Sequence, residues 1–165
     1  HKAAGVGDDY AQCRLGDAHM DGELGLAIDL EAALTWCQKA AKGGHAGAHR
    51  RLGFVHESGD FGRAIDLEEA LMWFQKAAED GNRPSQWRLG QAYEGGELGL
   101  ATDEEEALKW RRKAADGGHA GAQRRLGEAY ENGELGLAID LEAARTWCQK
   151  TANGGAEATA EGAEA

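Results

Sequence analysis

Apolar side chains recur at helical spacing along the segment from Gly118 to Gly154. Ala122, Leu126 and Tyr130 fall at i, i+4 and i+8 and form one stripe of a first helix, helix A. Gly127 leaves out a side chain on that stripe, where a second helix can approach closely. The run Asn132-Gly133-Glu134-Leu135-Gly136 breaks the pattern, and its glycines supply the positive φ angles of a tight connection. Asp140 is an N-cap in type, with Glu142 in the first turn where the helix dipole favours negative charge. Ala144 and Trp147, followed by Thr151 and Ala152, make the packing stripe of helix B, which Gly154-Gly155 are expected to end. The segment therefore predicts two antiparallel helices.

This unit occurs four times. The Leu-Gly pair stands at Leu15-Gly16, Leu52-Gly53, Leu89-Gly90 and Leu126-Gly127, a step of 37 residues (52 − 15). Trp36, Trp73, Trp110 and Trp147 keep the same step, as do Asp29, Asp66, Asp103 and Asp140, and Lys39, Lys76, Lys113 and Lys150. A fixed period of this length marks stacked two-helix units, because so short a hairpin cannot bury its apolar faces alone. The expected fold is all-α, an α-α superhelix or solenoid of tandem repeats. The expected divisions are 8–44, 45–81, 82–118 and 119–155, with 156–165 a degenerate cap or tail. Residues 1–7 keep register with Gln38 to Gly44 and read as the end of a preceding repeat, so the chain reads as a fragment of a longer array. The Trp column is expected to be core, since large residues at helical spacing usually are.

Composition narrows the functional classes. A formal net charge of −11 and a pI near 5.0 argue against nucleic acid or an anionic membrane as partner, because phosphate binding needs a basic footprint. Twenty-five glycines against one proline fit many short, glycine-capped helices. No apolar run approaches the length of a membrane span. The missing start leaves the compartment open.

The motif Ala122-x-x-x-Leu126-Gly127-x-x-Tyr130-x-x-Gly133, followed by Gly136, Asp140, Ala144-x-x-Trp147 and Lys150, resembles the Sel-1-like repeat family, a branch of the tetratricopeptide-type α-solenoids. The resemblance covers nearly the whole chain. Two departures stand out: the connection is one residue longer than the commonest family form, and His19 and His56 replace the Tyr of Tyr93 and Tyr130. The resemblance implies an adaptor or scaffold that holds protein partners. Some secreted members staple every repeat with a disulfide; the corresponding places here hold Ala41 and His49, Ala78 and Gln86, Ala115 and Gln123. A hydrolase of the penicillin-binding or β-lactamase-like kind, proposed for the stapled form, is a rival reading. A regulatory arm of a larger enzyme is another.

Residue chemistry adds little to suggest catalysis. Cys37 and Cys148 occupy equivalent places three repeats apart, beyond disulfide reach. Cys13 and Cys37 face each other across the first hairpin, where either a bridge or two reduced thiols fits. An odd count favours a reducing compartment such as the cytoplasm. His45 and His49 lie four apart on one face, but no third ligand completes a metal set. The run Asp103-Glu104-Glu105-Glu106 is explained by capping and the helix dipole. No nucleophile elbow, phosphate loop or HExxH set is present, and no cofactor is implied.

Arginine is the exception. Arg14, Arg51, Arg88 and Arg125 precede each Leu-Gly pair, and Arg50 and Arg124 double the charge in two repeats. The resemblance places helix A on the concave wall, where such a stripe can clamp an acidic or carboxylate-terminated peptide by charge-assisted hydrogen bonds. Trp87 stands in the Arg50 and Arg124 column as an aromatic platform, with Phe54 and Gln91 beside the stripe. The opposing expectation is that these arginines pair with acidic residues of neighbouring repeats.

Overall fold

One aspartate opens the second helix of each of the four repeats. In the computed structural model, which describes residues 8–60 and 62–161, with side chains described to 152, Asp29 Oδ1 accepts from Ala32 N at 2.9 Å and Asp66 Oδ1 from Glu69 N at 3.0 Å. Asp103 and Asp140 each accept two backbone N–H groups at 3.0 Å. The expectations for residues 1–7 and for the last four residues lie outside the described region.

The helices in chain order are α1 (Asp9–Asp21), α2 (Leu30–Lys42), α3 (Ala46–Ser58), α4 (Leu67–Glu79), α5 (Arg83–Gly95), α6 (Glu104–Asp116), α7 (Ala120–Asn132) and α8 (Leu141–Glu161). Odd-numbered helices are A and even-numbered ones are B, and the described residues contain no strand. They form two compact units, His1–Asn82 and Arg83–Ala165, each holding two hairpins.

The A–B connection is alike throughout. Gly22, Gly59 and Gly133 end α1, α3 and α7 in the left-handed conformation at φ near +70°, which costs glycine little. The N-cap aspartate then donates its backbone N–H to a carbonyl in the last turn of helix A: His19, His56, Tyr93 or Tyr130, at 2.8–2.9 Å. Since the carbonyl makes this bond, histidine replaces tyrosine there without changing the hairpin. In the first, third and fourth connections a leucine is also left-handed: Leu24 at φ 56°, Leu98 at 55° and Leu135 at 54°. Leu135 is 5 % exposed and packs against Ala107 of α6 and Ala129 of α7, whereas Leu24 is 74 % exposed. Burial contributes roughly 2 kcal/mol at Leu135 and offsets the left-handed backbone, which costs about 1–2 kcal/mol.

Within each hairpin the Leu-Gly glycine sets the helix spacing. A Cβ on Gly16 would lie 2.8 Å from Cys37 Sγ, one on Gly53 2.8 Å from the Phe74 ring, one on Gly90 2.8 Å from Arg111 Cγ, and one on Gly127 3.1 Å from Cys148 Sγ. The leucine beside each glycine is buried.

The Trp column is less interior than its spacing suggests. Trp110 is buried, but Trp36, Trp73 and Trp147 are half-buried. In every repeat the lysine three residues on lies over the ring, with Nζ 3.9–4.6 Å from the centroid. One ring face meets the core and the other meets an ammonium, a cation–π contact at the surface.

Helix α8 differs from the expected stop. It continues through Gly154 and Gly155 to Glu161. At the earlier B–A junctions the chain turns at Gly44, Gly81 and Gly118 with positive φ, and His45, Asn82 and His119 donate back to Ala40, Ala77 and Ala114. Residues 156–165 contain no Leu-Gly pair, and their Ala- and Glu-rich sequence has high helix propensity.

Candidate functional site

The arginines before each Leu-Gly pair do not share one environment. Arg14 is exposed on α1. Arg51 on α3 reaches back to α1, pairing with Asp17, and its Nη1 lies 3.7 Å from Met20 Sδ. Arg88 donates to Glu97 in the connection after α5 at 2.6 Å. Arg125 on α7 donates through Nη2 to Glu94 of α5 at 2.5 Å and through Nη1 to Glu134. Three of the four thus hold intramolecular carboxylates, two of them across neighbouring repeats.

The doubled arginines are more available. Arg124 keeps 71 % of its side chain exposed, with Glu128 no nearer than 3.9 Å. Among the described residues Arg50 makes no ion pair; its guanidinium lies 5.6 Å from the ring of Phe54, which is 41 % exposed and edge-on to Phe74 at 5.0 Å. Burial lowers the pKa of Arg50, with Arg51 adding repulsion. Gln91 is half-buried.

Trp87 is not an open platform. It stacks on His119 at 5.2 Å, while the guanidinium of Arg111 lies 4.3 Å from its centroid. Arg111 comes from α6 and is 4 % exposed, and it donates to Glu94 through Nη2. Among the described residues its Nε and Nη1 have no hydrogen-bond partner. Burial pulls the pKa of Arg111 down despite Glu94. Burial alone would raise Glu94, but hydrogen bonds and charge from Arg125 and Arg111 outweigh it and leave Glu94 below its ordinary value. For Arg125 burial is likewise outweighed, by Glu94 and Glu134, and its pKa rises.

Glu94 as the hub of this network was not singled out by its spacing. One sequence signal existed: the column after each Trp reads Cys37, Phe74, Arg111 and Cys148, so a charge stands where the other repeats are apolar.

The other candidate groups are absorbed by structure. His45 Nδ1 accepts from Ala48 N at 3.2 Å and caps α3; His119 does the same for Ala122 N at 3.2 Å on α7. His49 is buried, with one ring nitrogen 3.0 Å from Ala41 O and the other 3.2 Å from Asp80. Gln123, its counterpart in the fourth repeat, donates to Ala115 O at 3.1 Å. Cys13 and Cys37 are buried free thiols, and burial pushes Cys37 up to about 12; Cys148 is exposed and free. Asp103 caps α6, and Glu104 to Glu106 occupy its first turn. Among the described residues no group of three or more His, Cys, Asp or Glu is placed to hold a metal, and no helix is long and apolar enough to cross a membrane.

Comparison with known proteins places this arrangement. No curated protein sequence matches. Among solved structures, a Sel1 repeat protein from Oxalobacter formigenes is 27 % identical with a TM-score of 0.80, over 91 % of this chain and 59 % of that one. The c5321 protective antigen of uropathogenic Escherichia coli, described as displaying an SLR fold, is 33 % identical with a TM-score of 0.81, over 92 % of this chain and 32 % of that one. The immunity protein Pa5087 from Pseudomonas aeruginosa, 17 % identical with a TM-score of 0.55 over 93 % of this chain and 71 % of that one, shares the fold. This chain thus spans less than two thirds of the two Sel1-type structures. The Sel1 repeat model matches residues 9–45, 46–82, 83–119 and 120–155, and with the recurring Leu-Gly, Asp and Trp columns this shows that the chain belongs to the Sel1 repeat family, of the α-solenoid class.

Proposed function

We propose that the chain is a protein-interaction scaffold whose helix A faces hold a segment of a partner protein that is acidic or ends in a carboxylate. Sel1 repeats generally serve as non-catalytic scaffolds for protein–protein interaction, and the reading here takes repeats at 8–44, 45–81, 82–118 and 119–155 as its units. The carrying observation is the exposure of Arg124, 71 % open on α7, which leaves a guanidinium fork available to an incoming carboxylate. In the first unit Arg50 and Phe54 offer a cation beside an exposed ring, and Arg14 adds charge on α1. Within the first unit Arg51 supports the helix A face by holding Asp17; within the second, Arg88 and Arg125 hold Glu97 and Glu94, and Trp87 and Gln91 shape the face of α5.

Pull-down of partners by the native chain, compared with the Arg50→Glu and Arg124→Glu double variant at matched helicity, tests this. The double variant is expected to lose the partners that the native chain holds. An identical partner set overturns the assignment to the helix A faces.

A further inference from the structure

The first unit has a cleft lined by residues of α2, α3 and α4. Its volume is about 460 Å³, within the range of roughly 300–1,000 Å³ common for pockets that enclose a ligand. Ala41 and Leu52 line its base and Trp73 forms an aromatic wall, held by His49, which stacks on the ring at 5.6 Å and a tilt of 25°. The indole N–H of Trp73 is occupied, donating to Glu69 Oε2 at 2.9 Å, and Lys76 Nζ lies over the ring 4.6 Å from its centroid, so the wall presents ring carbon beside an ammonium. The cations that line it are Lys42 from α2 and Lys76 from α4. The nearby carboxylates are engaged: Asp80 lies against His49, and Glu69 accepts from the indole.

Two ammonium groups on an apolar cleft are unusual in a chain of net charge −11. Lys76 belongs to the Trp-x-x-Lys column of every repeat, whereas the column of Lys42 continues as Glu79 and Asp116. In the second unit the equivalent positions, 74 residues on (116 − 42), hold Asp116 for Lys42, Gln123 for His49, Arg112 for Gln38 and Lys150 for Lys76. Arg112 there donates to Tyr130 Oη at 3.0 Å. Ala115, Leu126 and Trp147 keep the apolar part, so the base, the wall and the lysine on helix B are common to both units, while Lys42 belongs to the first alone.

We propose that this cleft binds an apolar side chain of leucine or phenylalanine size, flanked by carboxylates, in an acidic segment of a partner protein. The side chain lies on Ala41, Leu52 and the Trp73 ring, and the flanking carboxylates meet Lys42 and Lys76. Charge complementarity selects this occupant: an acidic segment is repelled by the molecule at long range, so capture depends on these two local cations together with apolar burial. The inference rests on reading the chain as a protein-binding scaffold, but not on the helix A arginines.

The test uses a defined probe, the acetylated and amidated pentapeptide Asp-Glu-Phe-Asp-Glu, titrated into the whole chain by calorimetry, with amide chemical shifts to locate it. Binding with a dissociation constant at or below about 1 mM is expected. It should weaken at least about tenfold with the isosteric Asn-Gln-Phe-Asn-Gln peptide, with Ala in place of Phe, and in a Lys42→Glu, Lys76→Glu variant of native helicity, since tenfold is about 1.4 kcal/mol of lost contact. Shifts at Ala41, Leu52 and Trp73 should titrate in the Arg50→Glu, Arg124→Glu variant as in the native chain, whatever peptide the helix A faces lose. No titrating shifts at these cleft residues in the native chain, undiminished cleft shifts in the lysine variant, or their loss in the arginine variant alone overturns the proposal. The last result would leave the helix A reading standing, so the two fail separately.

Discussion

Repeats two and three place a ring and an arginine in the same two columns, but in opposite order. In repeat two the arginine stands on helix A and the ring on helix B, as Arg50 on α3 and Phe74 on α4. In repeat three the ring stands on helix A and the arginine on helix B, as Trp87 on α5 and Arg111 on α6. Gly53 and Gly90 give both B-helix side chains the same close seat. Phe74 fills it fully buried and meets Phe54 edge to face. Arg111 fills it with its aliphatic stem and then needs a π face from Trp87 and a carboxylate from Glu94. The difference teaches that the seat demands volume more than polarity. A charge is admitted when the adjacent A helices supply its counter-charge, and that requirement binds Arg125 and Glu134 into the same network.

The comparison breaks most visibly at Phe74. Phe74→Ala should cost about 3–5 kcal/mol, as large-to-small changes in a closed core do. Urea melts followed by circular dichroism measure it, and a loss below about 1 kcal/mol would mean that the seat is not core. A cycle in repeat three is next in size. Glu94→Ala leaves Arg111 buried without its carboxylate and should cost about 3 kcal/mol, whereas Arg111→Met should lie within about 1 kcal/mol of native and the double variant should recover most of the loss. A double variant no better than Glu94→Ala would show that Glu94 acts mainly through Arg125.

The smallest expected effect concerns pH. Burial, with Arg83 adding repulsion, holds His119 below its ordinary value of 6.5. Its ring also accepts the capping N–H of Ala122, which requires the neutral form at Nδ1. Below pH 6.5 the unfolded chain binds this proton more readily than the folded one. Stability should therefore be flat in this respect above 6.5 and fall as pH drops from 6.5 toward the lowered folded value. His119→Asn keeps a capping oxygen and should remove that part of the slope in denaturant melts taken across the window; an unchanged slope would place the titration elsewhere.

The period and the residue types of the hairpin were legible because they are local. Asp140 caps a helix, Leu126 fills a stripe, and Gly127 opens a close approach whatever lies farther away. The wider packing was less legible. The spacing of Trp36, Trp73, Trp110 and Trp147 marks one face of helix B, but not that Lys39, Lys76, Lys113 and Lys150 cover the other side of each ring. That contact was readable as Trp-x-x-Lys, one helical turn apart. The arginine column was visible, yet its carboxylate partners change from repeat to repeat, so identical spacing leads Arg51 to Asp17 and Arg125 to Glu94 and Glu134. His45 as a cap was hidden because histidine is an uncommon choice for that place. The extension of α8 through two glycines depends on which chain follows, information that a comparison with the internal repeats alone does not contain.

The left-handed leucine limits how this protein can change length. Between α7 and α8, Glu134 donates to Ala129 O at 3.0 Å, Leu137 to Glu134 O at 3.0 Å and Asp140 to Tyr130 O at 2.8 Å, and Leu135 is aimed at Ala107 from within that frame. Inserting or deleting one residue there would break the bonds, move the capping aspartate off its helix and turn the leucine into water. An exchange between equivalent points of two repeats instead adds or removes 37 residues (126 − 89) and leaves every frame intact. The array can thus lengthen or shorten by recombination in whole units.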